Sequence, residues 1–91
     1  MDKVYKALAH PVRREILKLL RGGDLSAGEL AARFELSAST MSGHFAQLRD
    51  ANLISVDRQG TTLIYRVNLS VLEESMSALM ALFSLNDPSG K

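Results

Sequence analysis

The sequence predicts a small, mainly α-helical domain that carries one β-hairpin. Residues 37–50 place Met41, Phe45 and Leu48 at the i, i+4, i+7 spacing of a single helix face. Residues 53–67 alternate apolar and polar side chains around Arg58, Gln59 and Gly60, which are expected to form the tip of a β-hairpin. The 91 residues suffice for one domain, 1–91, and a hydrophobic fraction of 46% is ordinary for a folded chain.

Two helices are expected before this region. The first covers about residues 2–9 and ends at His10. Pro11 suits the first turn of a second helix, where a missing N–H costs nothing. That helix runs to about Arg21, and the glycine pair 22–23 ends it.

The third and fourth helices are joined by a short turn. Ser26 and Glu29 have the spacing of a capping box, which opens a third helix through about Phe34. Residues 35–38 turn the chain into the fourth helix, with Ser37 as its N-cap. Helix, short turn and helix make a helix-turn-helix, and the hairpin that follows makes it a winged helix-turn-helix of five helices and two strands.

The fifth helix is apolar around most of its circumference. It is expected to begin with a capping box over residues 70–73 and to run to about Ser84, leaving a frayed tail over 85–91. A surface helix of a monomer shows one apolar stripe, whereas residues 76–83 show roughly two. A second copy would cover the other side, so we expect a homodimer through the first and last helices; burial within the monomer is the alternative. The side chains expected at the dimer interface are Val4, Tyr5, Leu8, Leu72, Met76, Leu79, Met80 and Phe83.

The outer face of the fourth helix has an unusual composition. It carries small or uncharged residues, namely Ser39, Ser42, Gly43, Ala46 and Gln47. A solvated helix face is normally rich in Lys and Glu, so this face looks shaped to lie against a ligand.

Charge supports this interpretation only weakly. The net charge is +1, but residues 1–21 carry +4 and residues 68–90 carry −3. This asymmetry would orient the protein on an anionic polymer, and ordinary solvated charge is the alternative explanation.

Several classes of function lack the residues they need. The chain has no cysteine, and its two histidines, His10 and His44, are far apart in sequence on different elements, so we expect no metal site and no cofactor. No glycine-rich phosphate loop or nucleophile relay is present, which argues against an enzyme. The first ten residues lack an apolar signal region and no long apolar run follows, so a cytoplasmic location is expected.

The chain closely resembles ArsR-type winged-helix repressors from about Val4 to Leu72. The resemblance is carried by KALAHPVRREILKLL, SAGELAARF, SASTMSGHFAQLRDANLI and DRQGTTLIYRV. Its core is the pattern S-x-x-T-x-S-x-H-(aromatic or Leu)-x-x-L, found here at Ser37, Thr40, Ser42, His44, Phe45 and Leu48. Within the family the chain looks most like the small SdpR-like autorepressor branch.

The resemblance implies a homodimeric repressor on an inverted-repeat DNA operator. Helix 37–50 would read the major groove, and the wing, residues 57–63, would touch the adjacent backbone or minor groove. The DNA-contacting residues implied are Ala38, Ser39, Thr40, Ser42, Gly43, His44, Gln47, Arg58, Gln59, Thr61 and Thr62. Short side chains discriminate bases less than Asn, Gln or Arg, so DNA shape and bridging water are expected to carry much of the specificity.

Three of these assignments have structural alternatives. Thr40 would serve equally as a capping residue, and His44 as a packing histidine. Arg58 would also suit a solvated turn, and Arg14 is expected to be a structural ion-pair partner rather than a DNA ligand.

Metal-sensing members of the family use paired cysteines on the third helix or Asp and His ligands on the last. Residues 29–33 contain no cysteine and residues 68–84 no histidine, so metal sensing is not expected. Repression would then be relieved by a small molecule at the dimer interface, by a membrane or cytosolic protein that sequesters the dimer, or by abundance alone. The resemblance favours a sequestering membrane-protein partner. The alternative from another functional class is a winged helix that binds a protein and not DNA.

Overall fold

The computed structural model describes residues 2–84, and the tail expected to fray, 85–91, lies outside them. The elements in chain order are α1 (Asp2–Leu8), α2 (Pro11–Arg21), β1 (Leu25–Ser26), α3 (Ala27–Ala31), α4 (Ala38–Asp50), β2 (Ile54–Gln59), β3 (Thr62–Val67) and α5 (Leu69–Leu82). The predicted mainly helical winged fold is confirmed, with one added strand. No helix in this part of the chain is long and apolar enough to cross a membrane.

The added strand, β1, completes a three-stranded antiparallel sheet in the order β1-β3-β2. Leu25 pairs with Tyr65, and Ser26 pairs with Ile64. Two residues show no alternation, so the sequence pattern could not reveal this strand. Beside it, Arg66 Nη2 lies 2.9 Å from the carboxylate Oδ2 of Asp24, an exposed ion pair between the start of β1 and β3.

The hairpin turn lies one residue further along than predicted. Gln59 pairs with Thr62, which leaves Gly60 and Thr61 as a two-residue turn. Gly60 has φ +66°, a left-handed conformation that glycine adopts without steric cost. Placing Arg58 and Gln59 in the tip was therefore wrong, because both belong to β2 and Arg58 lies opposite Leu63.

The predicted caps of α3 and α4 are confirmed. Ser26 Oγ accepts from the Glu29 N–H, and the Ser26 N–H donates to Glu29 Oε1 at 2.8 Å. These two hydrogen bonds hold the pKa of the Glu29 carboxyl below its ordinary value. Ser37 Oγ accepts from the Thr40 N–H at 3.1 Å. Helix α3 ends at Ala31 and not near Phe34, because single turns replace its expected last residues.

The predicted start of the last helix was wrong. Asn68 and not Ser70 is the N-cap of α5, and its side-chain oxygen accepts from the Val71 N–H at 3.5 Å. Ser70 lies inside the helix, which ends at Leu82. Asn and Ser cap equally well, so sequence alone did not separate two candidates two residues apart.

The core lies between α2, α3, α4 and the start of the sheet. Its largest fully buried side chains are Ile16, Leu20, Leu30, Met41, Leu48 and Leu53. Val4 belongs to the same core at 7% exposure, which contradicts its assignment to a dimer interface. The inward-facing side of α1 is already covered within one protomer.

Helix α5 lies at the periphery of this core. Only Ser75 is fully buried along it, and Ser75 Oγ donates to the Val71 carbonyl at 2.7 Å. The radius of gyration is 14.7 Å, whereas a compact chain of this length would have about 12 Å. The excess agrees with a helix that the rest of the protomer does not enclose.

Candidate nucleic-acid interface

Helix α4 is anchored at its N-terminus by hydroxyl groups. Ser37 Oγ donates to Thr40 Oγ1 at 2.8 Å and lies 3.3 Å from Ser39 Oγ. Thr40 therefore takes part in the cap, which was the alternative to DNA contact considered above. Its side chain nevertheless remains exposed. The arrangement fixes where the first turn of α4 points.

The inner face of α4 joins the helix to the wing. Met41, Phe45 and Leu48 are buried. The Phe45 ring stacks on Tyr65 of β3 with ring centroids 4.5 Å apart and planes at 26°. Burial raises the pKa of the Tyr65 hydroxyl, so it stays neutral. Because the pair joins α4 directly to β3, the helix and the hairpin keep a fixed mutual position.

The outer face of α4, formed by Ser39, Ser42, Gly43, Ala46 and Gln47, is exposed throughout. Ala38 and Thr40 are exposed beside it. Within residues 2–84, the side chains of Ser42 and Gln47 have no hydrogen-bond partner. Their polar groups are thus available to a ligand.

His44 lies on the other side of α4. It is only 8% exposed, so it is a packing histidine, the alternative considered above, and it does not lie on the outer face. Its Nδ1 lies 3.2 Å from Arg13 Nη1, and its ring centroid is 4.5 Å from that of His10. Although the two histidines are 34 residues apart in sequence, packing of α4 on α2 brings their rings into contact.

Arg13 and Arg14 both bind the end of α1, a function that the sequence did not indicate for Arg13. Arg13 donates from Nε to the Ala7 carbonyl at 2.8 Å and from Nη2 to the Lys6 carbonyl at 3.1 Å. Arg14 Nη1 donates to the Leu8 carbonyl at 2.8 Å, so its partner is a helix-end carbonyl and not an acidic side chain. Such carbonyls have no partner within the helix.

We expect the buried imidazole of His44 to make the protein less stable in mild acid. Burial first, and then the positive charges of His10 and Arg13, hold the pKa of His44 below its ordinary value of about 6.5. The unfolded chain therefore binds a proton that the folded chain resists. The free energy of unfolding should fall as pH drops below about 6.5 towards the lower folded pKa.

Urea unfolding at pH 8.0, 7.0, 6.0 and 5.5 measures this effect. His44→Gln keeps a hydrogen-bond acceptor but does not titrate, so its stability should change much less over this range. Equal losses in the wild type and the variant would contradict the assignment to His44.

The wing presents polar groups next to α4. Arg58 and Gln59 at the end of β2, Thr61 in the turn and Thr62 at the start of β3 are all exposed. An open groove between α4 and β2 is lined by Ala46, Arg49, Asp50, Asn52, Ile54, Ser55 and Val56. Arg49 is a basic residue that the sequence pattern did not single out, although it lies two helical turns after Ser42 on the same side of α4.

Metal-binding groups do not converge in the described part of the chain. No group of three or more His, Cys, Asp or Glu side chains between residues 2 and 84 is placed to hold an ion. The contact between His10 and His44 also includes the Arg13 guanidinium, a cation that disfavours a second one.

An exposed helix of small residues, preceded by a short turn and followed by a rigidly attached hairpin, defines the winged helix-turn-helix class. The helix-turn-helix domain family matches residues 8–57. The transcriptional repressor SdpR of Bacillus subtilis is 38% identical over 87 residues, 96% of this chain and 97% of SdpR. The transcriptional activator HlyU of Vibrio cholerae is 35% identical over 78 residues, 86% of this chain and 72% of HlyU.

Solved structures show the same similarity. An ArsR-like transcriptional regulator from Rhodococcus sp. RHA1 superimposes with a TM-score of 0.83 at 28% identity, over 91% of this chain and 76% of that one. The chain belongs to the ArsR family of winged helix-turn-helix transcriptional regulators. The predicted family is thus confirmed, and its members are regulators and not enzymes, as predicted.

Proposed function

We propose that this protein is a homodimeric transcriptional repressor that binds an inverted-repeat operator, its own promoter included. The observation that carries the proposal is the outer face of α4, exposed, nearly uncharged and fixed to a wing by the stacking of Phe45 on Tyr65. The similarity to SdpR, a repressor, over nearly all of both chains supports the direction of regulation.

In the proposed complex, α4 enters the major groove and the wing follows the neighbouring backbone. Ser39, Ser42 and Gln47 face base edges or nearby phosphates, with Ala38, Thr40 and Gly43 beside them. Arg58 contacts a phosphate or the minor groove, flanked by Gln59, Thr61 and Thr62. Arg49, in the groove between α4 and β2, adds a phosphate contact between the two. His44 is left out because it is buried.

The homodimer would form through the exposed side of α5 together with Tyr5 and Leu8. Met80 is 42% exposed and Phe83 65% exposed. In such a dimer the two α4 helices would enter successive major grooves, about 34–36 Å apart. A sequestering protein, a membrane protein by family resemblance, would relieve repression by covering the same DNA-binding face, since no metal ligand set is expected.

Fluorescence anisotropy tests the proposal. Purified protein would be titrated against the DNA upstream of its own gene, against duplexes enriched from a random pool, and against scrambled duplexes of equal length, at two salt concentrations. We expect two protomers per site, affinity at least ~10³-fold above scrambled DNA, and a steep loss of affinity with salt. Weak binding that is equal for all duplexes would contradict the repressor and favour a winged helix that binds protein.

Gly43→Ala should stabilise the protein and weaken operator binding. A Cβ at position 43 would meet nothing within 4 Å, so no neighbour in the protomer requires glycine there. Glycine inside a helix costs roughly 0.5–1 kcal/mol relative to alanine, which corresponds to about 4 °C in Tm for a chain of this size. The proposal explains this cost by close approach of the α4 backbone to DNA.

Thermal unfolding measures the expected gain in stability of Gly43→Ala, and anisotropy measures the expected loss of operator affinity. We expect a higher Tm and an affinity for the operator lower by about tenfold, or ~1.4 kcal/mol. Ser77→Ala, on the exposed side of α5, is the matched control and should change Tm slightly without changing affinity. Unchanged affinity in Gly43→Ala would show that the backbone does not approach the DNA closely at this position.

A further inference from the structure

The histidine cluster, formed by His10, Arg13 and His44, lies where α4 meets the junction between α1 and α2. His10 is the N-cap of α2, and its Nδ1 accepts from the Val12 N–H at 3.1 Å. Arg13 contacts three places at once: the Lys6 and Ala7 carbonyls of α1 and the His44 ring of α4. The cluster therefore joins the helix proposed to read DNA to the helix proposed to help form the dimer.

The contact between Arg13 and His44 requires a neutral imidazole. A guanidinium only donates hydrogen bonds, so His44 Nδ1 must accept and carry no proton. In the neutral ring the proton is then on Nε2. An imidazolium has no acceptor, and its Nδ1–H would oppose the Arg13 N–H at 3.2 Å.

Among residues 2–84, no acidic side chain contributes to the pKa of His44, so none compensates a proton on it. The charged groups that bear on it are His10, just before α2, and Arg13, within α2, and both lower its pKa. Helix α1 contributes the two carbonyls that Arg13 already occupies. Protonation would therefore set like charges against each other in a site that is largely closed to water.

We propose that the histidine cluster makes specific DNA binding depend on pH, because protonation of His44 removes the acceptor that fixes Arg13 to α4. The proposal rests on the proposed function and names a means of regulating it. Arg13 and His44 are positioning residues: they act through the placement of α4 relative to α1 and contact no DNA. A repressor with this cluster releases its operator as the surrounding pH falls.

The direction of the effect separates this mechanism from ordinary charge attraction. Protonating His44 adds a positive charge to a chain of net charge +1, which strengthens general attraction to phosphates. The cluster predicts the opposite for the operator. Affinity for the specific duplex should fall with acid while affinity for scrambled DNA stays constant or rises.

The experiment is an anisotropy titration between pH 8.0 and 5.0 at fixed ionic strength, with the duplex selected at pH 8.0 and a scrambled duplex. The specific affinity should fall below about pH 6.5, because the pKa of His44 in the free protein is lower than that value. Each unit by which DNA binding lowers this pKa further weakens binding by at most about tenfold, a limit approached below both pKa values. His44→Gln supplies a neutral acceptor to Arg13 at every pH. Its affinity should stay within about threefold of the wild-type value at pH 8.0 and vary little with pH.

His10→Asn is the second variant, because asparagine also caps a helix. Combined with His44→Gln it leaves a chain without histidine, whose specific affinity should not change over this range. A wild type with constant specific affinity, or a histidine-free chain with the wild-type slope, would overturn the proposal. So would a loss of helical circular dichroism between pH 6.5 and 5.0 that parallels the loss of binding, since that would be unfolding.

Failure of the proposed function gives a different result. In that case no duplex is preferred at pH 8.0, whereas failure of the pH mechanism leaves a preference that acid does not weaken. Amide NMR spectra of the free protein complete the test without DNA. Protonation of His44 should shift resonances of α1 and α4 in the wild type but not in His44→Gln, and equal shifts in both would overturn the proposal.

Discussion

Ser42→Glu should abolish specific DNA binding while leaving the fold intact. Ser42 lies in the middle of the outer face of α4, exposed and without an intramolecular hydrogen-bond partner among the described residues, so the substitution costs the protomer little. In the proposed complex it places a carboxylate against base edges and phosphates. A loss of about 1.4 kcal/mol in each half-site would lower operator affinity by at least ~10²-fold.

Anisotropy with the selected duplex measures the loss, and circular dichroism and Tm verify the fold. Ser70→Glu is the matched control, because it adds the same charge at the first turn of α5, where a carboxylate is favourable. Its affinity should change by less than about threefold, the scale of general charge repulsion. A Ser42→Glu protein that keeps the operator affinity of Ser70→Glu would exclude α4 as the DNA-reading helix.

The fold could be predicted from sequence wherever local chemistry decides the structure. The apolar spacing of Met41, Phe45 and Leu48, the Ser26–Glu29 capping box and the Ser37 cap each depend on residues close in sequence, and each is confirmed. The prediction failed where two neighbouring residues were nearly equal candidates for the same structural position. Asn68 and Ser70 are both good caps, and only the position of β3 before the helix decides between them.

What sequence could not reveal are contacts between distant residues. Strand β1 forms because Leu25 and Ser26 pair with the free edge of β3, which lies about 40 residues further along the chain. His10 and His44 meet because α2 and α4 share a core, and no periodicity signals a contact between rings 34 residues apart. The outer face of α4 was identified because exposure follows directly from helical periodicity, whereas the surroundings of His44 depend on Arg13, a residue on another helix.

Packing within the described protomer leaves the apolar side chains near the end of α5 uncovered. Met80, Leu82 and Phe83 are exposed near the end of α5, and the only fully buried residue of that helix is a serine. Leu72, Met76 and Leu79 are half-buried on the side that leads to Met80 and Phe83. A symmetric partner that presents the same stripe would cover both copies at once.

Met80→Glu should therefore separate the proposed dimer. Two-fold symmetry would place two carboxylates in one apolar interface, and each protomer would lose about 2 kcal/mol of apolar burial. The dissociation constant of the dimer should rise by at least ~10³-fold, since each 1.4 kcal/mol is a factor of ten. Operator affinity should fall with it, because one α4 helix would then contact one half-site alone.

Light scattering over a range of protein concentrations measures the dissociation, and Ser77→Glu is the matched control on the exposed polar side of the same helix. The control should remain dimeric and bind the operator as the wild type does. A Met80→Glu protein that stays dimeric would place the interface elsewhere. A monomeric variant with full operator affinity would show that one protomer recognises DNA by itself, and the inverted-repeat geometry would then be wrong even though α4 reads the groove.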